Sequence, residues 1–154
     1  MIIASAAARL LTGRDAAVRR ADGSPLPASG DAILFFPSGA AGPAFLVTDN
    51  FIALKRFNNS DTYALAVAIL ADRLSGLPGI RAGWPADDVQ PSRKERIALQ
   101  HRLAALGYKV DDFDGHFDFE LRDAVRELQV RFGMLPDGHP SRAFLDQVGV
   151  RMAR

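Results

Sequence analysis

Residues 76 to 92, GLPGIRAGWPADDVQPS, hold three glycines and three prolines and follow neither a helical nor an alternating apolar pattern. Proline removes a backbone donor and glycine favours no single conformation, so no regular element runs through such a stretch. The chain is thereby split into two parts that must each build a core. We expect a first domain over residues 1–76, a linker over 77–91 and a second domain over 92–154. With 154 residues in all, 48% of them hydrophobic, both domains are small.

Charge and composition exclude several classes of function. The 19 Lys and Arg nearly balance the 18 Asp and Glu, and the net +1 gives no field for drawing in nucleic acid or an anionic membrane. The absence of cysteine removes thiol catalysis, disulfides and Cys-ligated zinc. No apolar run is long enough to span a bilayer. The opening MIIASAAARLL has no positive start and is broken by Arg9, so it does not read as a signal peptide. Of the acids, 15 are Asp and only three are Glu, namely Glu95, Glu120 and Glu127. A mechanism that needs a glutamate in the first 90 residues is therefore excluded for this chain.

In the first part, residues 1–12 read as an apolar helical stub. Ala32–Phe36 and Ala44–Thr48 are short apolar runs joined by PSGAAGP, the pattern of a small β-hairpin. A helix follows, with Asn59 or Ser60 as N-cap and Gly76 past its end. Tyr63, Val67, Leu70 and Leu74 share one of its faces, and Leu65 and Ile69 make the opposite side apolar too, so burial nearly all round is expected.

The second part is punctuated more clearly. Ser92 and Glu95 form a capping box, Leu99, Leu103 and Leu106 a stripe, and Gly107 a C-terminal stop, which together predict a helix over 92–106. A second helix is predicted over 119–132, with Leu121, Val125, Leu128 and Phe132 facing a core, and a shorter third one is capped by Ser141. Two Asp-Gly-His turns, at 114–116 and 137–139, suit the positive φ that glycine supplies. Their flanks look different, so no internal repeat is inferred from them.

These residues carry a resemblance. Leu103, Leu106-Gly107-Tyr108, Asp114-Gly115-His116-Phe117, Ala124-Val125, Gln129, Gly133 and Asp137-Gly138 follow, in order and spacing, the peptidoglycan-binding domain found beside many bacterial cell-wall hydrolases. The chain departs from that pattern at Asp118 to Leu121, where a Gly-Pro-x-Thr helix start is usual, and at Leu128, where an aromatic is usual. Asp118 can cap the helix in its own right. Residues 18 to 86 are similar to the carboxyl-terminal part of the catalytic domain of the lytic murein transglycosylase B family. The matching stretches are Val18 to Pro27, Gly42 to Thr48, Asn50-Phe51, Phe57 to Val67, Leu70 to Leu74, and Trp84-Pro85.

The two resemblances imply a mainly α fold with a small β-hairpin (α+β): an incomplete lysozyme-like domain, then a three-helix peptidoglycan-binding module. The family cleaves the bond between N-acetylmuramic acid and N-acetylglucosamine to 1,6-anhydro ends, one glutamate serving as acid and then base. That carboxyl must protonate the leaving oxygen and later take a proton from the muramic hydroxyl. The family's glutamate lies upstream of everything matched here, and no catalytic residue is assigned in this chain. The reading is a carboxyl-terminal portion or shortened relative that binds murein and does not cleave it alone. An active lytic transglycosylase, with an unrecognised or separately supplied acid, is the alternative. A protein–protein interaction domain, docking a partner over the exposed face of the truncated first half, is the third.

Site residues follow from the same resemblance. Phe57 and Asn58 stand where the family's cleft carries Tyr-Asn, with Ser60 and Tyr63 beside them; for the last three, helix capping and core packing are the preferred reading over a ligand role. Tyr108, Asp114, Phe117, Arg122 and Gln129 are the expected peptidoglycan-binding set, with Asp114 and Phe117 also shaping a turn. Asp49, Asp61 and Asp72 are weighed as substitute acids: Asp49 suits a strand-ending turn, Asp61 a helix first turn that stabilises its charge, and Asp72 a solvated flank. Aligning Gly115 with the glycine of an EF-hand loop puts Val110 and Leu121 at ligand positions, which rejects that reading. His116 and His139 are expected as surface turn residues, Trp84 as an anchor of the linker. No metal and no cofactor are expected, and the partner expected is peptidoglycan. Export to the periplasm or cell envelope is implied by the resemblance alone.

Overall fold

The computed structural model describes the backbone of residues 3–6 and residues 31–80 and 83–150. It is mostly helical and divides between Pro85 and Ala86 into two compact units.

The first unit opens on a three-stranded antiparallel sheet: β1 (Ile3–Ala6), β2 (Ile33–Phe35) and β3 (Ala44–Val47), in the order β1-β3-β2. The expected hairpin is there, with Phe35 opposite Phe45 and Ile33 opposite Val47. The stub expected to be helical is a strand where it is described. Ile3 pairs with Leu46 and Ala6 with Ala44. The reason is non-local: β3 has two edges, the hairpin uses one, and a second apolar segment satisfies the ladder groups of the other. Residues 7–12 of that stub lie outside the described part.

Two helices follow, α1 (Asp49–Phe57) and α2 (Asp61–Leu74). Ser60 caps α2 by accepting the Tyr63 N–H at 3.2 Å, and Gly76 (φ +79°) takes the left-handed position beyond its end. Lys55 and Asp61 form an ion pair at 2.6 Å across the corner between the helices. The core is aromatic, with Phe35, Phe45 and Phe51 fully buried and the Phe35 and Phe51 rings 5.6 Å apart. Trp84 stacks on Phe45 at 6.3 Å.

α2 is not buried all round. Its inner face is Ala64, Leu65, Ala68 and Asp72, whereas Leu70 is 59% and Leu74 81% exposed. Small alanines let the helix backbone approach its neighbours closely, and hydrophobicity alone does not reveal which of two apolar faces does so. Asp72 is correspondingly not a solvated flank residue. It is 8% exposed, and burial raises its pKa above the usual aspartate value.

The second unit comprises α3 (Arg93–Ala105), α4 (Phe119–Arg131) and α5 (Arg142–Val148). Each is N-capped by its own side chain, Ser92, Asp118 and Ser141, and Ser92 with Glu95 completes the capping box. The residues just before these caps, Pro91, Phe117 and Pro140, are all buried, and so fix the angle at which the chain enters each helix. The core holds Leu99, Leu103, Leu121, Val125, Leu128, Phe144, Leu145 and Val148, with Tyr108, Val110 and Met134 packed against it. Leu106 and Phe132, expected inside, sit half-exposed at the helix ends, Phe132 tilted on Phe144 at 6.3 Å. Both are C-cap residues, where the chain turns away from the core-facing stripe.

Candidate functional site

The second unit is organised by two loops built alike. In the first, Gln100 of α3 accepts the Gly115 N–H at 2.8 Å and donates to the His116 carbonyl at 2.8 Å. In the second, Gln129 of α4 accepts the Gly138 N–H at 2.9 Å and donates to the His139 carbonyl at 3.2 Å. Asp114 accepts the His116 N–H, and Asp137 the His139 N–H, both at 2.8 Å. The two glutamines are 1% and 2% exposed, so these bonds are made out of water, where leaving a polar group unpaired is expensive.

The likeness extends to the helices. Arg93, seven residues before Gln100, donates to the Asp114 carbonyl, and Arg122, seven before Gln129, donates to the Gly138 carbonyl. Gly115 and Gly138 have φ of +79° and +72°. A Cβ on either would lie 3.1 Å from the Arg93 or Arg122 carbonyl oxygen, so glycine is required twice over. The sequence therefore carries an internal repeat, Arg-x5-Leu-Gln followed by Asp-Gly-His, which comparison of the immediate loop flanks misses. The shared residues sit on the preceding helix, at different distances from their turns.

The five residues expected to bind peptidoglycan take different places in this frame. Phe117, Arg122 and Gln129 are buried and support the loops from within. Asp114 is partly exposed, and the His116 N–H and the Gln100 amide hold its carboxyl below the usual aspartate pKa. Tyr108 is half-buried beside Arg131 and Glu127; burial is the main cause raising its phenol pKa, with Arg131 opposing and Glu127 adding. Next to the first turn, His101 of α3 and Phe113 stack with ring centres 4.2 Å apart and planes 9° from parallel, both exposed. Sequence reasoning missed this pair, and also Gln100 and Arg93. The repeated Arg-x5-Leu-Gln was the available signal for the last two.

His139 is not a surface residue. It is 3% exposed, and its Nε2 lies 2.9 Å from Asp88 Oδ1. His116 is exposed, as expected. Among the described residues no group of three or more His, Asp or Glu side chains is arranged to hold a metal ion, and no helix is long and apolar enough to cross a membrane.

In the first unit the four expected cleft residues gather at the corner between α1 and α2. Phe57 ends α1 and is 83% exposed, Asn58 is its exposed C-cap, and Tyr63 is exposed on the first turn of α2. The Ser60 hydroxyl is occupied by its capping bond. Of the weighed acids, Asp49 is exposed in the first turn of α1, Asp61 is paired with Lys55, and Asp72 is buried.

Against known families, residues 5–72 match the transglycosylase SLT domain and residues 92–148 match the peptidoglycan binding domain. The chain thus carries a transglycosylase SLT segment, lysozyme-like in fold, ahead of a peptidoglycan-binding domain. Among solved structures it is similar to SltB3 from Pseudomonas aeruginosa in complex with NAG-anhNAM-pentapeptide, at 45% identity and a TM-score of 0.69, over 86% of this chain and 36% of that one. It is similar also to SltB3 in complex with NAG-NAM-pentapeptide, at 46% identity and a TM-score of 0.68, over 85% of this chain and 36% of that one. The chain therefore spans little more than a third of the length of the structures it matches. No curated protein matches it.

Proposed function

We propose that this chain binds peptidoglycan through residues 92–148 in the periplasm or cell envelope, and does not cleave glycan strands by itself. The observation that carries the binding half is the peptidoglycan-binding family match over a unit that has its own core and its own capped helices. Asp114 offers a carboxylate at its surface, whereas the Tyr108 hydroxyl is buried, and the His101–Phe113 stack offers a flat face of the kind that packs on a sugar ring. Phe117, Arg122 and Gln129 act from beneath by fixing the two loops.

The non-cleaving half rests on carboxyl groups. All three glutamates lie beyond residue 90, and Glu95 is committed to the Ser92 N–H at 2.7 Å. In the SLT segment Asp61 is neutralised by Lys55, and Asp72 is protonated more readily than usual but is shut away from solvent. Phe57, Asn58, Ser60 and Tyr63 would keep one wall of a sugar cleft, with the Asn58 amide able to bond an N-acetyl group.

A second reading has an observation of its own. Phe57, Leu70 and Leu74 leave apolar surface uncovered on the first unit, which suits a further protein segment or partner that completes the cleft and supplies an acid. Incubating the purified chain with isolated sacculi tests both. Co-sedimentation without release of 1,6-anhydro muropeptides is expected. Release that is lost in Asp72→Asn, or that needs an added partner, would establish the second reading, and a chain left wholly in the supernatant would end the first.

A further inference from the structure

The two braced loops differ at the imidazole. The second has its imidazole filled: His139 Nε2 lies 2.9 Å from the Asp88 carboxylate. An ionised carboxylate only accepts hydrogen bonds, so the ring donates from Nε2. In the first loop the His116 backbone is held in the same way, with its N–H on an aspartate and its carbonyl on a buried glutamine. Its ring is exposed, and among the described residues no side chain is hydrogen-bonded to it. From one frame repeated twice, filled in one copy by a carboxylate of the chain itself, we infer that His116 receives a carboxylate of the bound ligand. This rests on the peptidoglycan-binding reading and sharpens it. Once the stem peptide is attached, the amino sugars carry hydroxyl and acetamido groups but no free carboxylate, so the group recognised belongs to the stem peptide.

The surrounding charges set the conditions. The Asp114 carboxylate is taken up by the His116 N–H, Asp118 by the Leu121 N–H, and Asp111 pairs with Lys109 at 3.1 Å. Arg93 brings a guanidinium onto the same loop through its bond to the Asp114 carbonyl. Asp112 is exposed nearby and opposes an incoming anion. A free small anion gains little there. A carboxylate tethered to a ligand already held on the module meets His116 at high effective concentration.

The test compares NAG-NAM-pentapeptide with the same molecule amidated at its peptide carboxylates, titrated calorimetrically into the full chain and into His116→Ala. Amidation should weaken binding to the unaltered chain about three- to tenfold, as expected for one charge-assisted hydrogen bond in partly wet surroundings. His116→Ala should lose the same factor and no longer distinguish the two ligands, while His116→Gln, which keeps a donor, should recover part of it. His116 is exposed, so circular dichroism of both variants should match the parent. A parent chain that binds both ligands equally, or a His116→Ala variant that still discriminates, overturns the assignment but leaves murein binding standing. A parent chain that binds neither ligand nor sacculi removes both.

Discussion

Replacing Gln129 with alanine should unfold the second unit far more easily than one side chain would suggest. The substitution orphans the buried Gly138 N–H, a loss of about 1–3 kcal/mol. Removal of one buried methylene adds ~0.8 kcal/mol. The His139 carbonyl keeps a second donor in the Ser141 N–H, so little more is expected from that side. The sum, about 2–4 kcal/mol, is set against a unit of roughly 70 residues whose whole stability is ~3–10 kcal/mol. At about 4–8 °C per kcal/mol, its melting temperature should drop by roughly 10–30 °C. The full chain can be used, because its lone tryptophan, Trp84, belongs to the first unit. Tryptophan fluorescence then follows that unit while circular dichroism follows both. Gln100→Ala should behave alike, since the Gly115 N–H is orphaned in the same manner. Gln129→Glu should be worse than alanine at neutral pH, because it sets a second carboxylate at the 2.8 Å contact with Asp137. A loss below about 1 kcal/mol for either alanine variant would refute the claim that these glutamines hold the loops.

Three further outcomes follow from the same geometry. Gly115→Ala should destabilise the second unit by about 1–3 kcal/mol in chemical denaturation, from positive φ and the 3.1 Å approach to the Arg93 carbonyl together. The Asp114 carboxyl has a folded pKa below its unfolded one, so its contribution is complete above the unfolded value and is lost as pH falls through the folded one. Melting of the second unit should therefore decline in acid, and less steeply in Asp114→Asn, which still accepts the His116 N–H. Asp72 has the opposite sign: its raised pKa means that ionisation opposes folding above the folded value, and protonation relieves this as pH falls. Asp72→Asn should hold or raise the melting temperature of the first unit at neutral pH, and a clear loss would show that the charge is needed.

Local chemistry made the helix boundaries of the second unit readable. Ser92 with Glu95, Asp118, Ser141 and the glycines at 107 and 133 act within a turn of where they stand in sequence. What was not readable depended on partners far along the chain. β1 exists because β3 has an unfilled edge. α1 has only nine residues, and Thr48 starts it without a side-chain cap, so nothing local announced it. The buried side of α2 was decided by alanines that a hydrophobic pattern ranks below the leucines opposite. At the candidate site, the glycine turns were legible, but the burial of His139 was not. It follows from Asp88, 51 residues away in sequence, reaching its ring.

Whether the second unit is what holds peptidoglycan can be read from backbone amide chemical shifts of the full chain as NAG-NAM-pentapeptide is added. Saturable shifts are expected, concentrated at residues 101–118, around Tyr108, Phe113 and the first Asp-Gly-His loop, with the amides of residues 31–80 moving less. Shifts confined to the first unit, or none at ligand concentrations that saturate binding to sacculi, would contradict binding by the second unit.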